Sequence, residues 1–223
     1  MKKSTSEKII FQSPAPTPFF SVIIPTHNRS GLLVRALKSL LSQTEKNWEA
    51  IIIDDESTDD TEKIILPYLK KHSQLKYIQQ KKQGAAIAKN KGISAASGKF
   101  ITFLDSDDEY EPNHLASRMK ILQQNSSLQF LHGGLKIIGN EFVPDRLNPT
   151  NKIHLSECVV GGTFFVERNL LLELNGFQNI LLGEDADLFN RIKDMGAITQ
   201  LTNKATYVYH HETEDSVTNT FMA

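Results

Sequence analysis

Residues 20–24, 50–53 and 100–104 are short apolar runs, and each stops abruptly. The first stops at Pro25, the second at Asp54-Asp55-Glu56 and the third at Asp105-Ser106-Asp107-Asp108. Runs of this length, without sustained polar alternation, read as strands buried on both faces. Between them the apolar residues change period. Leu32, Leu33, Ala36, Leu37, Leu40 and Leu41 follow the first run at helical spacing, and Ile64, Ile65, Tyr68 and Leu69 follow the second. Residues 75–78 make a further strand and residues 84–96 an alanine-rich helix. Strands alternating with helices imply right-handed crossovers, hence an α/β fold with a mostly parallel sheet and helices on both faces.

Beyond Pro112 the pattern loosens. A helix is expected over 114–124, strands over 129–132, 135–138 and 161–166, and a helix over 185–195 with Leu188, Phe189 and Ile192 inward. A last strand is expected over 207–209. The proline-rich start and the polar end read as tails over 1–18 and 213–223. One domain is left over 19–212, with a regular half over 19–110 and a looser half over 111–212. No apolar run approaches the roughly 20 residues of a membrane-spanning helix. Lys2 and Lys3 are followed by polar residues rather than a signal core, so the expectation is a soluble, cytoplasmic protein; peripheral membrane contact stays open. Cys158 is the only cysteine, which rules out an internal disulfide and a cysteine-based zinc site. A formal net charge of -1 argues against a nucleic-acid binder.

In open α/β sheets, ligands gather outside the carboxyl ends of the strands. Carboxylates crowded there repel one another unless a positive group sits among them. A divalent cation resolves the repulsion, and hard oxygen ligands suit magnesium, manganese or calcium. Acids that follow strands also serve as helix caps. Asp59 and Asp60 are read that way, with Ser57 or Thr58 as the start of the second helix, and Asp54 as a structural acceptor at its strand end. Asp105-Ser106-Asp107 is read as a site, because it ends an apolar strand and no clear helix follows.

These residues resemble family-2 glycosyltransferases of the GT-A, Rossmann-like fold. The resemblance is carried by five segments in order: Ser21-Val22-Ile23-Ile24-Pro25-Thr26-His27-Asn28-Arg29; Ile53-Asp54-Asp55-Glu56-Ser57-Thr58-Asp59; residues 84–92, with Gly84, Lys89 and Asn90; Phe103-Leu104-Asp105-Ser106-Asp107-Asp108; and Gly183-Glu184-Asp185-Ala186-Asp187-Leu188. It implies sugar transfer with inversion from a nucleotide-diphosphate donor to a hydroxyl acceptor, with manganese or magnesium as cofactor. The acceptor would be a saccharide, a lipid-linked saccharide or a peptide, in cell-surface polysaccharide or glycoconjugate synthesis. Pro25, Thr26, His27 and Asn28 would lie against the base, with Lys89 also at the nucleotide. Asp55 would accept a hydrogen bond from the base, favouring uracil. Asp105 would reach the ribose or the metal's water shell, and Asp107 would ligate the metal. Asp185 would be the general base, with Glu184 orienting the acceptor. His210 or His211 would complete the metal site. Two departures stand out: Lys89 occupies a position where arginine is common, and Glu56 replaces a frequent glycine.

Other residues have plainer readings. Asp187 and Arg191, at i and i+4, read as an ion pair. Trp48 reads as a packing residue, and Lys81 and Lys82 as a solvated face. Two rival functions remain. A nucleotidyltransferase is disfavoured because the loop Pro25-Thr26-His27-Asn28-Arg29-Ser30-Gly31 is poor in glycine. A silent sugar-nucleotide-binding module would have no use for Asp185. Acceptor contacts are expected in residues 139–162, where no motif is legible.

Overall fold

The computed structural model describes residues 17–146, 148, 150–180 and 182–212. Of the expected tails, 1–16 and 213–223 lie outside the described residues. The first half follows the alternation: β1 (Phe20–Thr26), α1 (Ser30–Leu41), β2 (Trp48–Asp55), α2 (Thr61–Lys71), β3 (Leu75–Gln80), α3 (Ala85–Ala95) and β4 (Phe100–Phe103). The second half continues with β5 (Glu109–Tyr110), α4 (His114–Gln124), β6 (Phe130–His132), β7 (Leu135–Gly139), β8 (Phe142–Pro144) and β9 (Lys152–His154). After two short 3-10 turns come β10 (Phe165–Glu167), α5 (Arg168–Glu173), α6 (Glu184–Asp194), β11 (Thr199–Leu201) and β12 (Tyr207–His211).

Seven strands form the main sheet, in the order β11-β6-β10-β4-β1-β2-β3. The pairs β3-β2, β2-β1, β1-β4 and β6-β11 are parallel, while β10 runs antiparallel to both neighbours. The sheet is therefore mostly parallel. A smaller sheet, β5-β12-β7, flanks it, and β8 pairs with β9 as a hairpin.

The buried strands carry two cores because successive side chains point to opposite faces. On one face Phe20, Val22, Ile24, Ala50 and Ile52 meet Leu33, Ala36, Leu37 and Leu40 of α1. On the other, Ile23, Ile51, Ile53 and Phe103 meet Ala86, Ala88 and Ile93 of α3. The small residues of α3 let it lie flush on β1: a Cβ at Gly92 would come within 2.5 Å of Ile23 Cγ2. Among the described residues no helix is long and apolar enough to cross a membrane.

Two expectations need correction. Residues 161–166 are not one strand: Gly161–Thr163 is a 3-10 turn, and the strand is Phe165–Glu167. The turn arises because the backbone N–H of Gly161 is drawn to a side chain of α6 instead of a sheet partner. Neither Ser57 nor Thr58 opens the second helix, which starts at Thr61. Asp59 is the acid at its entrance, accepting from the Thr61 backbone N–H at 3.0 Å and its hydroxyl at 2.5 Å, and also from the Ser30 backbone N–H at 3.0 Å. Short elements β5, β8, β9, β11 and α5 carry too few residues to show a period, so the pattern did not announce them. Leu188 and Ile192 are buried as expected, and Phe189 is half-buried against the same core. Trp48 is a packing residue, its indole donating to the Glu45 carbonyl at 2.9 Å.

At the amino end of the sheet Glu49 ties four segments together. It accepts from the Ser21 hydroxyl at 2.6 Å, from the Ser97 N–H and hydroxyl at 2.7 Å each, and from Lys76 Nζ at 2.7 Å. Burial alone would raise its pKa, but these hydrogen bonds outweigh burial and hold the carboxyl at about 2, below its ordinary 4.5. A depressed folded-state pKa adds stability that is complete above the unfolded value and is lost as pH falls from about 4.5 toward 2. Glu49→Gln is expected to lower unfolding stability by about 2–3 kcal/mol at neutral pH. Urea titrations of both proteins at pH 7 and pH 3 should show that deficit shrinking in acid; an equal deficit at both would mean the charge is not what the network holds.

Candidate active site at the carboxyl edge of the sheet

β1 and β4 are neighbours, yet the chain leaves β1 toward β2 and β3 and only then crosses to β4. At such a reversal the loops part and leave a crevice at the carboxyl ends. β1 brings Pro25 and Thr26 to this edge, β2 brings Asp54 and Asp55, and the segment after β4 brings Asp105, Asp107 and Asp108.

The loops after β1 and β2 are pinned together by Asn28, which takes a left-handed φ of +51°. Its N–H donates to Ser57 Oγ at 2.9 Å, and its side-chain oxygen accepts from the Thr58 N–H at 2.7 Å. His27 Nε2 lies 3.0 Å from Lys82 Nζ. Thr26 Oγ1 and His27 Nδ1 are buried without a hydrogen-bond partner among the described residues, which leaves polar capacity at this loop. Glu56 also adopts a left-handed φ, +64°, a conformation that glycine enters without the Cβ penalty. Its carboxylate accepts from the Lys82 N–H at 3.1 Å, so Glu56 joins the turn to the next loop.

Asp54 is structural as expected, accepting from the Ser57 N–H at 2.8 Å and from the Tyr77 hydroxyl. Asp55 is more heavily used than its strand-end position suggested. It accepts from Gln80 Nε2 at 2.8 Å, the Gln83 N–H at 2.9 Å and the Gly84 N–H at 2.7 Å. A carboxylate offers about four lone-pair positions, so one remains for a ligand.

Asp105 is half-buried and shares its surroundings with Asp107, Asp185, Glu184 and Lys89. Burial, then the neighbouring carboxylates, push its pKa up to about 6, against the opposing pull of Lys89. Burial opposes the charge on Lys89, but Asp185, Asp105 and Glu184 outweigh it and its pKa is raised. The ammonium is 5% exposed, 3.5 Å from Asp185 Oδ1 and 3.8 Å from Glu184 Oε1, and it sits 4.9 Å from the centre of the Phe177 ring. Asp185 lies in the first turn of α6, after Gly183 in a left-handed conformation. Its Oδ2 accepts from the Gly161 N–H at 2.7 Å, and a Cβ at Gly161 would fall 2.3 Å from Oδ1. Glycine is thus required for that approach. Asp187 pairs with Arg191 at 2.8 Å, and Arg191 also donates to the carbonyls of Leu174 and Gly176. The pair therefore fastens α6 to the loop after α5.

The spacing did not reveal the partners of Asp107. Its carboxylate pairs with the Arg29 guanidinium, and its carbonyl accepts from Arg35. Arg29 stands in the first motif, but nothing local links it to an acid 78 residues away. Asp108 is buried, accepting from the Tyr207 hydroxyl at 2.6 Å and the His210 N–H at 2.8 Å. Burial, then Asp105 and Asp107, raise its pKa well above the ordinary range.

The two histidines of β12 each have a local partner. His210 Nε2 lies 2.8 Å from Glu109 Oε2, and His211 Nδ1 lies 2.8 Å from the Asn140 carbonyl. Among the described residues no group of three or more His, Cys, Asp or Glu side chains is arranged to hold a metal ion. The metal site expected from Asp105, Asp107 and His210 or His211 therefore stays a proposal. Adjacent residues of a strand point to opposite faces, and each histidine has found a local partner. What the donor set does fit is a manganese or magnesium ion held by one or two carboxylates with phosphate oxygens completing its shell. Asp105 and Asp107 supply hard oxygens two residues apart, and the repulsion that raises Asp105 is relieved by added positive charge.

The sequence profile described as Glycosyl transferase family 2 matches residues 21–158. An uncharacterized glycosyltransferase of Rickettsia conorii is 34% identical over 91% of this chain, which spans 34% of that relative. The GalNAc(5)-diNAcBac-PP-undecaprenol beta-1,3-glucosyltransferase of Campylobacter jejuni is 35% identical over 90% of this chain and 67% of its own length. Among solved structures, S. aureus TarS 1-349 in complex with UDP superposes with a TM-score of 0.72 at 25% identity, covering 86% of this chain and 60% of that one. The chain thus spans about a third of the Rickettsia relative's length.

Lys89 should matter to folding as well as to the site, because its removal leaves half-buried carboxylates facing one another. Lys89→Met is expected to cost about 3 kcal/mol of unfolding stability, measured by urea denaturation at neutral pH. A loss below about 1 kcal/mol, the scale of an exposed pair, would show that the carboxylates do not depend on it.

Proposed function

The chain belongs to glycosyl transferase family 2, and from that premise we propose that it transfers a sugar from a nucleotide-diphosphate donor, a UDP-sugar by preference, to a hydroxyl of a lipid-linked saccharide, with inversion. What supports this most is the setting of Asp185. One of its oxygens is fixed by the Gly161 N–H, while the other faces Lys89 at the sheet edge that also carries Asp105 and Asp107. A carboxylate restrained in this way can accept a proton without changing place. A silent binding module has no need of such a group.

In this reading Thr26, His27 and Asn28 line the base side of the crevice, and the remaining lone pair of Asp55 accepts the ring N–H of uracil. Asp105 and Asp107 lie toward the diphosphate. Asp107 would hold manganese or magnesium, and the chemistry a bound cation supplies is neutralisation of the charge that develops on the departing diphosphate. Asp185 removes the proton of the acceptor hydroxyl as its oxygen attacks the anomeric carbon on the face opposite the leaving group. Glu184 orients that acceptor, and Lys89 keeps Asp185 and Glu184 in register with Asp105. The UDP bound by the S. aureus structure and the undecaprenol-linked saccharide in the C. jejuni relative's name support the donor and acceptor classes. Work on a lipid-linked acceptor places the reaction at a membrane surface, with the chain in peripheral contact. The hairpin of β8 and β9 lies within the stretch lacking any motif, where acceptor contacts are expected.

Two measurements test this. Asp185→Asn keeps the shape but cannot take the proton, so transfer, followed as nucleoside diphosphate release with acceptor, should fall by about 10²–10⁴-fold. UDP affinity should stay within a few-fold. Loss of nucleotide binding together with transfer would instead make Asp185 a donor contact. Calorimetry should also show UDP binding about tenfold more tightly than CDP, the scale of one hydrogen bond to a charged acceptor, with the gap closing in Asp55→Ala. Equal affinity for the two nucleotides in the unaltered chain would refute the role given to Asp55.

A further inference from the structure

Tyr207 lies on β12 and is buried, as is Asp108. The tyrosine hydroxyl donates to Asp108 Oδ2 at 2.6 Å and accepts from the backbone N–H of Asp105 at 3.4 Å. The other oxygen of Asp108 accepts from the His210 N–H at 2.8 Å. The Asp108 N–H closes the turn on itself by donating to the Asp105 carbonyl at 3.0 Å. The short segment that presents Asp107 is therefore clasped from the core side by a strand 99 residues further on. The tyrosine ring serves the other half of the site. A Cβ at Gly162 would fall 2.1 Å from its Cζ, and the adjoining Gly161 is the residue that holds Asp185.

We propose that Tyr207, acting through Asp108, is the positioning residue that fixes where Asp107 offers its carboxylate to a donor-bound divalent cation. The inference rests on the donor-site reading above. A metal ligand must be held within about half an ångström to be useful, and side chains that orient ligands from behind govern metal affinity strongly. Arg29 and Arg35 restrain Asp107 directly. Tyr207 and the His210 N–H, both from β12, hold the turn from within the core through the buried carboxylate of Asp108. Without the hydroxyl, Asp108 loses a short partner and the turn relaxes toward another arrangement.

The test is calorimetry of UDP across a manganese series. Tyr207→Phe keeps the ring against Gly162 and removes only the hydroxyl. The manganese concentration that gives half-maximal enhancement of UDP binding should rise about tenfold or more, while UDP affinity in chelator-treated, metal-free buffer stays within about twofold. A merely structural role would weaken metal-free binding equally. Asp108→Ala, which removes the acceptor of the Tyr207 hydroxyl, carries the same expectation should Tyr207→Phe fail to fold. An unchanged manganese midpoint in a folded variant overturns the role of Tyr207. An unaltered chain that binds no UDP, with or without manganese, overturns the donor-site reading and this inference with it.

Discussion

Four carboxylates share one end of this sheet around a single buried ammonium, and the rest of the site depends on that arrangement. Asp105, Asp185 and Glu184 together overcome the burial that opposes the charge on Lys89, and Asp107 adds to the field at Asp105. Without a cation in that position the acids would separate or take up protons, because like charges in a dry setting cannot all ionise. With it, groups from β4, α3 and α6 stay in one small volume. The compensation is incomplete: Asp105 remains raised to about 6. The residual strain leaves the cluster receptive to further positive charge.

The scaffold makes this crowding tolerable by being stiff where the acids attach. β1, β2 and β4 are buried on both faces, and α3 lies so close that Gly92 has no room for a side chain against Ile23. Such packing lets the strand ends be defined to a fraction of an ångström. The loops are then tied to one another rather than left to solvent. Asn28 joins the first loop to the second, Asp55 joins the second to the third, and Asp108 joins the fourth to β12. In each case a side chain accepts or donates where backbone groups would otherwise be unsatisfied. Glu49 performs the corresponding task at the opposite end of the sheet, where no chemistry is expected.

Much of this was legible before any coordinates. The apolar runs announced β1, β2, β3 and β4, because a strand buried on both faces needs a continuous apolar stretch. The helical spacing announced α1, α2, α3, α4 and α6. The acids after β2 and β4 were conspicuous because charged residues rarely follow a buried strand without a partner or a ligand. The reading failed where the pattern was too short or the partner too distant. Residues 161–166 looked like a strand by composition, yet Gly161 is bent into a turn by Asp185. The partners of His210 and His211, Glu109 and Asn140, were likewise not legible from order along the chain.

The sequence by itself determined the layered α/β architecture, the family, and which acids would stand at the carboxyl edge of the sheet. The architecture and the acids follow from local period and from the residue that ends each run, the family from the resemblance of five short segments, and all of these are written contiguously in the chain. Only the tertiary structure decided how those acids are neutralised and held. That Lys89 faces Asp185 across 96 residues, that Arg29 rather than a histidine meets Asp107, and that Tyr207 clasps Asp108 are matters of packing between elements distant in sequence. Electrostatic and hydrogen-bonding partners are chosen by proximity in space, and proximity is set by how the helices and strands close on one another, which no local pattern records.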